Sequence, residues 1–247
     1  MQIISIINQK GGVGKSTTAT TLHAGLNKRG LKALLIDLDA QGNTSEILGA
    51  TPAQTSILEA LKKPARAGEA IQHTAQGDII AYDIGLGVDG SFKNEYALKE
   101  MLSALRGKYD YIIIDTPPAL STITVNALVA SSSVIIPAQA DILSLKGISQ
   151  LMNTIEPIRK LRNPNLHIAG ILLTRYNERT ILSQQIAQQA EQLAKQYKTK
   201  VFKAKIREAI AIKEGQTVQK DIFTYAPDSN PAQDYKAFIK ELLGGLK

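Results

Sequence analysis

The chain has 247 residues, 44% of them apolar, which fits one large α/β domain with a substantial core. It holds no cysteine, which excludes disulfides, thiolate zinc sites and Cys-ligated iron–sulfur clusters and suits a reducing cytoplasm. The formal net charge is +7, no apolar run approaches the ~20 residues of a membrane span, and the first apolar stretch lacks the basic lead of a secretory signal.

Strand and helix signals alternate along the chain. That order predicts a doubly wound, mostly parallel sheet flanked by helices, in a single domain over 1–247. Residues 3–7 read as a buried strand that runs into a glycine-rich loop. Residues 15–29 read as a helix stopped by Gly30, and 33–38 as the next strand. Ser56 is placed to cap a short helix over 56–62. The stretch 63–93 carries no clear pattern. Beyond it, helices are expected over 94–106, 123–130, 142–161, 181–197 and 232–243. Strands are expected over 111–114, 134–136 and 168–173.

The first strand is followed by Lys10-Gly11-Gly12-Val13-Gly14-Lys15-Ser16-Thr17, which opens a helix. Glycines let the backbone aim successive N–H groups at phosphate oxygens, and the helix N-terminus adds partial positive charge. Lys15 is placed to reach the β- and γ-phosphates, the Ser16 hydroxyl to ligate Mg²⁺, and Thr17 to meet the α-phosphate.

Phosphate-loop chemistry also needs a carboxylate near the metal at the end of a buried strand. Asp115 ends the run Tyr111-Ile112-Ile113-Ile114 and leads into Thr116-Pro117-Pro118. A second strand ends in Leu35-Ile36-Asp37-Leu38-Asp39-Ala40-Gln41-Gly42-Asn43. With a period of two, Asp37 and Asp39 face the same way and can address one site.

The strict G-x-x-x-x-G-K-S/T pattern fails, because position 9 is Gln. The form K-G-G-x-G-K-S resembles the deviant Walker A loop of the ParA/MinD family of P-loop ATPases. The D-x-P-P at Asp115 and the D-x-D-A-Q-G-N at Asp37 are similar to its other motifs, with Ala40 where the family usually has proline. The likeness continues through Thr124-Val125-Asn126-Ala127-Leu128, Val134-Ile135-Ile136-Pro137 and Gly170–Tyr176, and covers residues 1 to about 220. It implies an ATP hydrolase with ATP and Mg²⁺ as ligands and Ser16, Asp37 and Asp115 around the metal. It further implies that Asp39 handles the attacking water and that Lys10 crosses to the nucleotide of a second subunit in an ATP-dependent homodimer. No N-K-x-D guanine signature follows the strand 168–173, and Thr174 and Arg175 are candidate contacts near an adenine base. The chain begins at the phosphate-loop strand, like the short class without an N-terminal DNA-binding domain. A nitrogenase-iron-protein-like reductase would need cysteine ligands, so that branch is excluded.

The charge is unevenly placed. Between Lys198 and Lys220 there are seven basic residues against two acidic ones, Glu208 and Glu214. Such a stretch suits a polyanion. The resemblance implies non-specific DNA, a nucleoid-associated cytoplasmic location, and a ParB-like or other centromere-binding partner that stimulates hydrolysis during plasmid or chromosome segregation. Lys203, Lys205, Arg207 and Lys213 are the candidate DNA contacts. Two other readings stand beside this one. A MinD-like membrane switch placing the division site would use the C-terminal stripe Tyr235, Phe238, Ile239, Leu242 and Leu243, which equally describes a helix docked on the core, so no membrane partner is expected. A nucleotide-bound clamp with negligible hydrolysis would leave Asp39 without a task.

Overall fold

A computed structural model describes residues 1–51, 53–87 and 94–246. Its strands are β1 (Gln2–Ile6), β2 (Ala33–Asp37), β3 (Ile71–Thr74), β4 (Gly77–Ile80), β5 (Tyr111–Asp115), β6 (Ser133–Gln139) and β7 (His167–Thr174). They form one seven-stranded sheet in the order β3-β4-β2-β5-β1-β6-β7. Every neighbouring pair is parallel except β3 with β4. The central strands are apolar on both faces because helices cover both sides.

Alternation sorts those side chains between two layers. Ile4, Ile6, Leu35, Ile113 and Ile135 pack on one face, with α1 (Lys15–Asn27) and the last helix, α10 (Asn230–Gly245). Leu34, Ile36, Ile112 and Ile114 point the other way, toward α3 (Ile57–Lys62), α4 (Ala97–Ser103) and α5 (Thr122–Ala130). Val134 and Ile136 meet α6 (Ile142–Leu161) and α7 (Ile181–Gln196) on that side. Gly25 lets α10 approach α1 closely, since a Cβ there would stand 2.3 Å from Ile239 Cδ1.

The C-terminal stripe is spent in this core. Tyr235, Phe238, Ile239 and Leu242 are no more than 2% exposed, and Phe238 meets Phe202 edge to face at 4.9 Å between centroids. Among the described residues no helix is long and apolar enough to cross a membrane.

Several expectations shift. The stretch 63–93 contains the β3–β4 hairpin, turned through Gly77 at φ 122, while 88–93 lie outside the described residues. The helix expected over 94–106 narrows to α4, and three short helices carry no readable period: α2 (Asn43–Ile47), α8 (Ile210–Thr217) and α9 (Ile222–Tyr225).

His23 lies fully buried on α1. Its Nε2 is 3.1 Å from the Ala33 carbonyl, while Nδ1 has no partner. Burial pushes the imidazole down from 6.5 to about 4. The unfolded chain therefore takes a proton below pH 6.5 that the folded chain refuses until about pH 4. This contribution to stability is full above pH 6.5 and falls with acidification. Between pH 7.5 and 4.5 urea unfolding should show the wild type losing roughly 2–3 kcal/mol more than a His23→Gln variant. Equal losses would remove His23 as a source of acid sensitivity.

Candidate nucleotide site

The loop between β1 and α1 sits at the C-terminal edge of the sheet, where open α/β folds bind ligands. Gly12 and Gly14 take φ of 73° and 89°, which a side chain would resist. Three residues outside the loop fix its shape. Asn8 holds the Pro137 carbonyl through Nδ2 (2.7 Å) and accepts the Lys10 N–H (2.9 Å). Gln139 donates to the Gly12 carbonyl (2.8 Å), and the Thr174 hydroxyl donates to the Val13 carbonyl (2.9 Å). Asn8 and Gln139 carry no motif of their own. Their strand-end positions beside the loop were the only available signal.

Lys15 is 7% exposed and its Nζ reaches the Lys10 carbonyl at 3.2 Å. Burial lowers its pKa, opposed by Asp115 and Asp39. Asp37 and Asp115 are register partners at the ends of adjacent strands, and both are buried. Burial pushes Asp37 up to about 7, with the Asp115 carboxylate adding to it. Burial also pushes Asp115 up to about 6, against the neighbouring Thr44 and Ser16 hydroxyls and the Lys15 charge.

The two carboxylates have different surroundings. Asp37 is saturated: Ser45 donates from N and Oγ (both 2.8 Å), and the Asp39 N–H donates at 3.1 Å. Ser45 Oγ also accepts the Tyr82 N–H (3.0 Å), tying this corner to the segment after β4. Asp115 accepts from Thr44 Oγ1 at 2.6 Å, but its Oδ1 is buried without a partner. An orphaned carboxylate oxygen beside the Ser16 hydroxyl is a hard-oxygen set that suits Mg²⁺ with retained waters. Thr44 and Ser45 were missed by sequence reasoning, because the helix they begin is five residues long.

A cleft of about 720 Å³ opens over the loop. Gly11–Thr17, Asp39, Thr174, Arg175 and residues 206–209 all line it, with Thr174 against the loop itself. Asp39 receives the Gln41 N–H on Oδ1 (3.0 Å) and faces the loop lysine. Gln216 of α8 donates to Thr17 Oγ1 (3.1 Å). Arg175 takes φ 47° and pairs loosely with Glu208 at 3.7 Å. Lys10 is turned away from the cleft: its Nζ lies 2.8 and 3.0 Å from the Asp141 carboxylate and 3.3 Å from Ser144 Oγ.

The four basic candidates divide. Lys203 and Lys213 are exposed, and Lys213 lines the cleft. The ammonium of Lys205 lies over the Tyr176 ring at 4.4 Å. Arg207 forks onto Asp234 through Nε (2.9 Å) and Nη2 (2.6 Å).

This geometry can be set beside known proteins. An AAA domain family model matches residues 1–168. The sporulation initiation inhibitor protein Soj of Bacillus subtilis is 37% identical over 250 residues, covering 98% of both chains. The chromosome partitioning protein ParA of Caulobacter vibrioides is 35% identical, covering 98% of this chain and 94% of its own. Among solved structures, cobyrinic acid a,c-diamide synthase of Mycobacterium smegmatis with a bound ATP analogue and magnesium superposes at a TM-score of 0.86 with 31% identity, covering 100% of this chain and 96% of that one. With the phosphate loop, the buried acid pair and this likeness over nearly its whole length, the chain belongs to the ParA/Soj family of partitioning ATPases, P-loop enzymes that act on ATP with magnesium.

Proposed function

We propose that this ATPase binds DNA non-specifically as an ATP-dependent homodimer and that a centromere-binding partner stimulates its hydrolysis to move plasmid or chromosomal cargo. The observation that carries this is the continuity of the cleft with the basic stretch: one cavity is lined by the phosphate loop and by Lys213. A change in what fills the cleft therefore reaches the cationic surface directly. Phosphate contacts are independent of sequence and steeply salt-dependent, and doubling the chain doubles the cations. Lys203 and Lys213 are the cations proposed to meet DNA.

The residues take the following roles. Gly11–Thr17 present backbone N–H groups to the phosphates, and Lys15 adds charge at the β–γ end. Ser16 and Asp115 would hold Mg²⁺, and Asp37 stiffens the loop that carries Asp39. When bound, Mg²⁺ offsets the negative charge that develops on the transferred phosphoryl group. Asp39 lies at the phosphate end with an Oδ2 that no hydrogen bond within the described residues engages, placed to orient the attacking water. Lys10 leaves Asp141 when a second subunit closes on the first and then neutralises charge on that subunit's nucleotide. The burial of the α10 stripe supports the DNA reading over the membrane switch, because that helix has no free apolar face to place in lipid.

Three measurements follow. Lys15→Ala should weaken ATP binding on the order of 10–100-fold, the loss of a charge-assisted contact of about 1.5–3 kcal/mol. A variant that binds ATP normally would displace Lys15 from its role. Asp39→Ala should retain ATP and DNA binding while turnover falls roughly 10²–10⁴-fold, and unchanged turnover would move the catalytic role elsewhere. Random-sequence duplex should bind with ATP and not with ADP. Lys213→Ala should then lower the salt slope by about two, one for each copy in the dimer. Equal binding with either nucleotide, or none with both, would sink the DNA reading.

A further inference from the structure

One of the four candidate DNA cations, Arg207, is tied to the nucleotide cleft instead. Asp234 receives three hydrogen bonds from Arg207: the backbone N–H at 3.0 Å, Nε at 2.9 Å and Nη2 at 2.6 Å. The carboxylate side chain is 11% exposed against 39% for the guanidinium. A sheltered acid holding both the backbone and the fork of one residue fixes that residue's position as well as its charge. Ile206, Arg207, Glu208 and Ala209 form a wall of the cleft that the phosphate loop also lines.

The next residue of the same helix completes the arrangement. Tyr235 lines the cleft, and its hydroxyl lies 3.3 Å from Thr18 Oγ1 on α1. Thr18 N–H in turn donates to the Gly14 carbonyl of the loop (2.9 Å). Two consecutive residues of α10 thus reach the 206–209 segment and the helix that follows the phosphate loop. Glu241, two turns on, accepts the N–H groups of Lys203 and Ala204, holding the strand-like segment that leads into the wall. The wall continues into α8, whose Gln216 bonds Thr17, the loop residue expected to meet the α-phosphate.

We propose that Asp234 is a positioning residue for the nucleotide: through Arg207 it sets the spacing between the 206–209 wall and the phosphate loop, and Arg207 is a strut of that wall rather than a DNA cation. The wall meets the part of the nucleotide that ATP and ADP share, so both ligands depend on it equally. The inference rests on the cleft being the nucleotide site and is independent of whether DNA binds.

Affinity for fluorescent ATP and ADP analogues should be measured for Asp234→Asn, Arg207→Ala and the double variant, with melting temperatures alongside. Each single variant should weaken both nucleotides by about tenfold, and the double should be no weaker than the worse single. KM for ATP should rise while turnover at saturating ATP stays at the wild-type level, which a general loss of structure would not produce. Where Asp234→Asn melts early, Arg207→Lys keeps the charge without the fork, and weakened nucleotide binding by that variant carries the test. Wild-type affinity in all variants overturns the inference. So does a loss confined to ATP, or a salt slope for DNA that drops by about two per dimer in Arg207→Ala with nucleotide affinity intact. A wild-type protein that fails to bind DNA would sink the proposed function and leave this assignment standing on nucleotide affinity.

Discussion

Two carboxylates at the ends of neighbouring strands, with one buried lysine beside them, set the terms for the whole molecule. Asp37 and Asp115 are in register between β2 and β5, and neither reaches solvent. Burying a charge is unfavourable unless it is paired or well hydrogen-bonded. The fold meets this demand unequally. Asp37 is surrounded by donors from the start of α2, while Asp115 keeps one oxygen without a donor. That asymmetry leaves Asp37 engaged on both oxygens and Asp115 with one oxygen open to the Mg²⁺ proposed there. It also explains why α2, a helix of five residues with no apolar period, has to sit where it does: its first turn supplies Thr44 and Ser45.

The C-terminal helix has a second task besides closing the core. Its apolar stripe packs on α1, while its acidic residues Asp234 and Glu241 hold the segment between β7 and α8. A long segment that pairs with the sheet only through isolated bridges at Val201 and Arg207 has few backbone bonds of its own. Carboxylates that accept its N–H groups supply what a full strand would have provided. Cleft shape is thereby linked to packing on the far side of α1.

The parts most visible in the sequence were those with a period or a fixed spacing. The apolar runs at Tyr111–Asp115 and His167–Thr174 become strands within a residue or two of their expected ends, because strands buried on both faces leave continuous apolar text. The phosphate loop was legible because few arrangements other than an anion cradle use glycine at 11, 12 and 14 followed by Lys15. The β3–β4 hairpin was hidden, since its strands are four residues long and β3 is mostly polar at a sheet edge. Asn8, Gln139, Thr44 and Ser45 were hidden for another reason: each matters through hydrogen bonds made by folding, which no spacing announces. The roles of Lys203, Lys205, Arg207 and Lys213 separated only when their neighbours were known. Charge alone could not tell a free cation from one already held by Tyr176 or Asp234.

The two margins of the sheet limit how copies of this chain can join. On one side β3 is short and carries Gln72, His73 and Thr74, a poor template for another strand. On the other, β7 is already occupied through the bridges to Val201 and the backbone bonds of Phe202 and Ile206. Strand addition, which would fuse copies by backbone bonds slow to break, is left only the short, mostly polar margin of β3 among the described residues. Contact between subunits is left to side chains on the exposed rims, such as Leu120, Ile142, Leu143 and Ile181. Associations of that kind form and separate without unfolding anything, which suits the ATP-dependent homodimer proposed above.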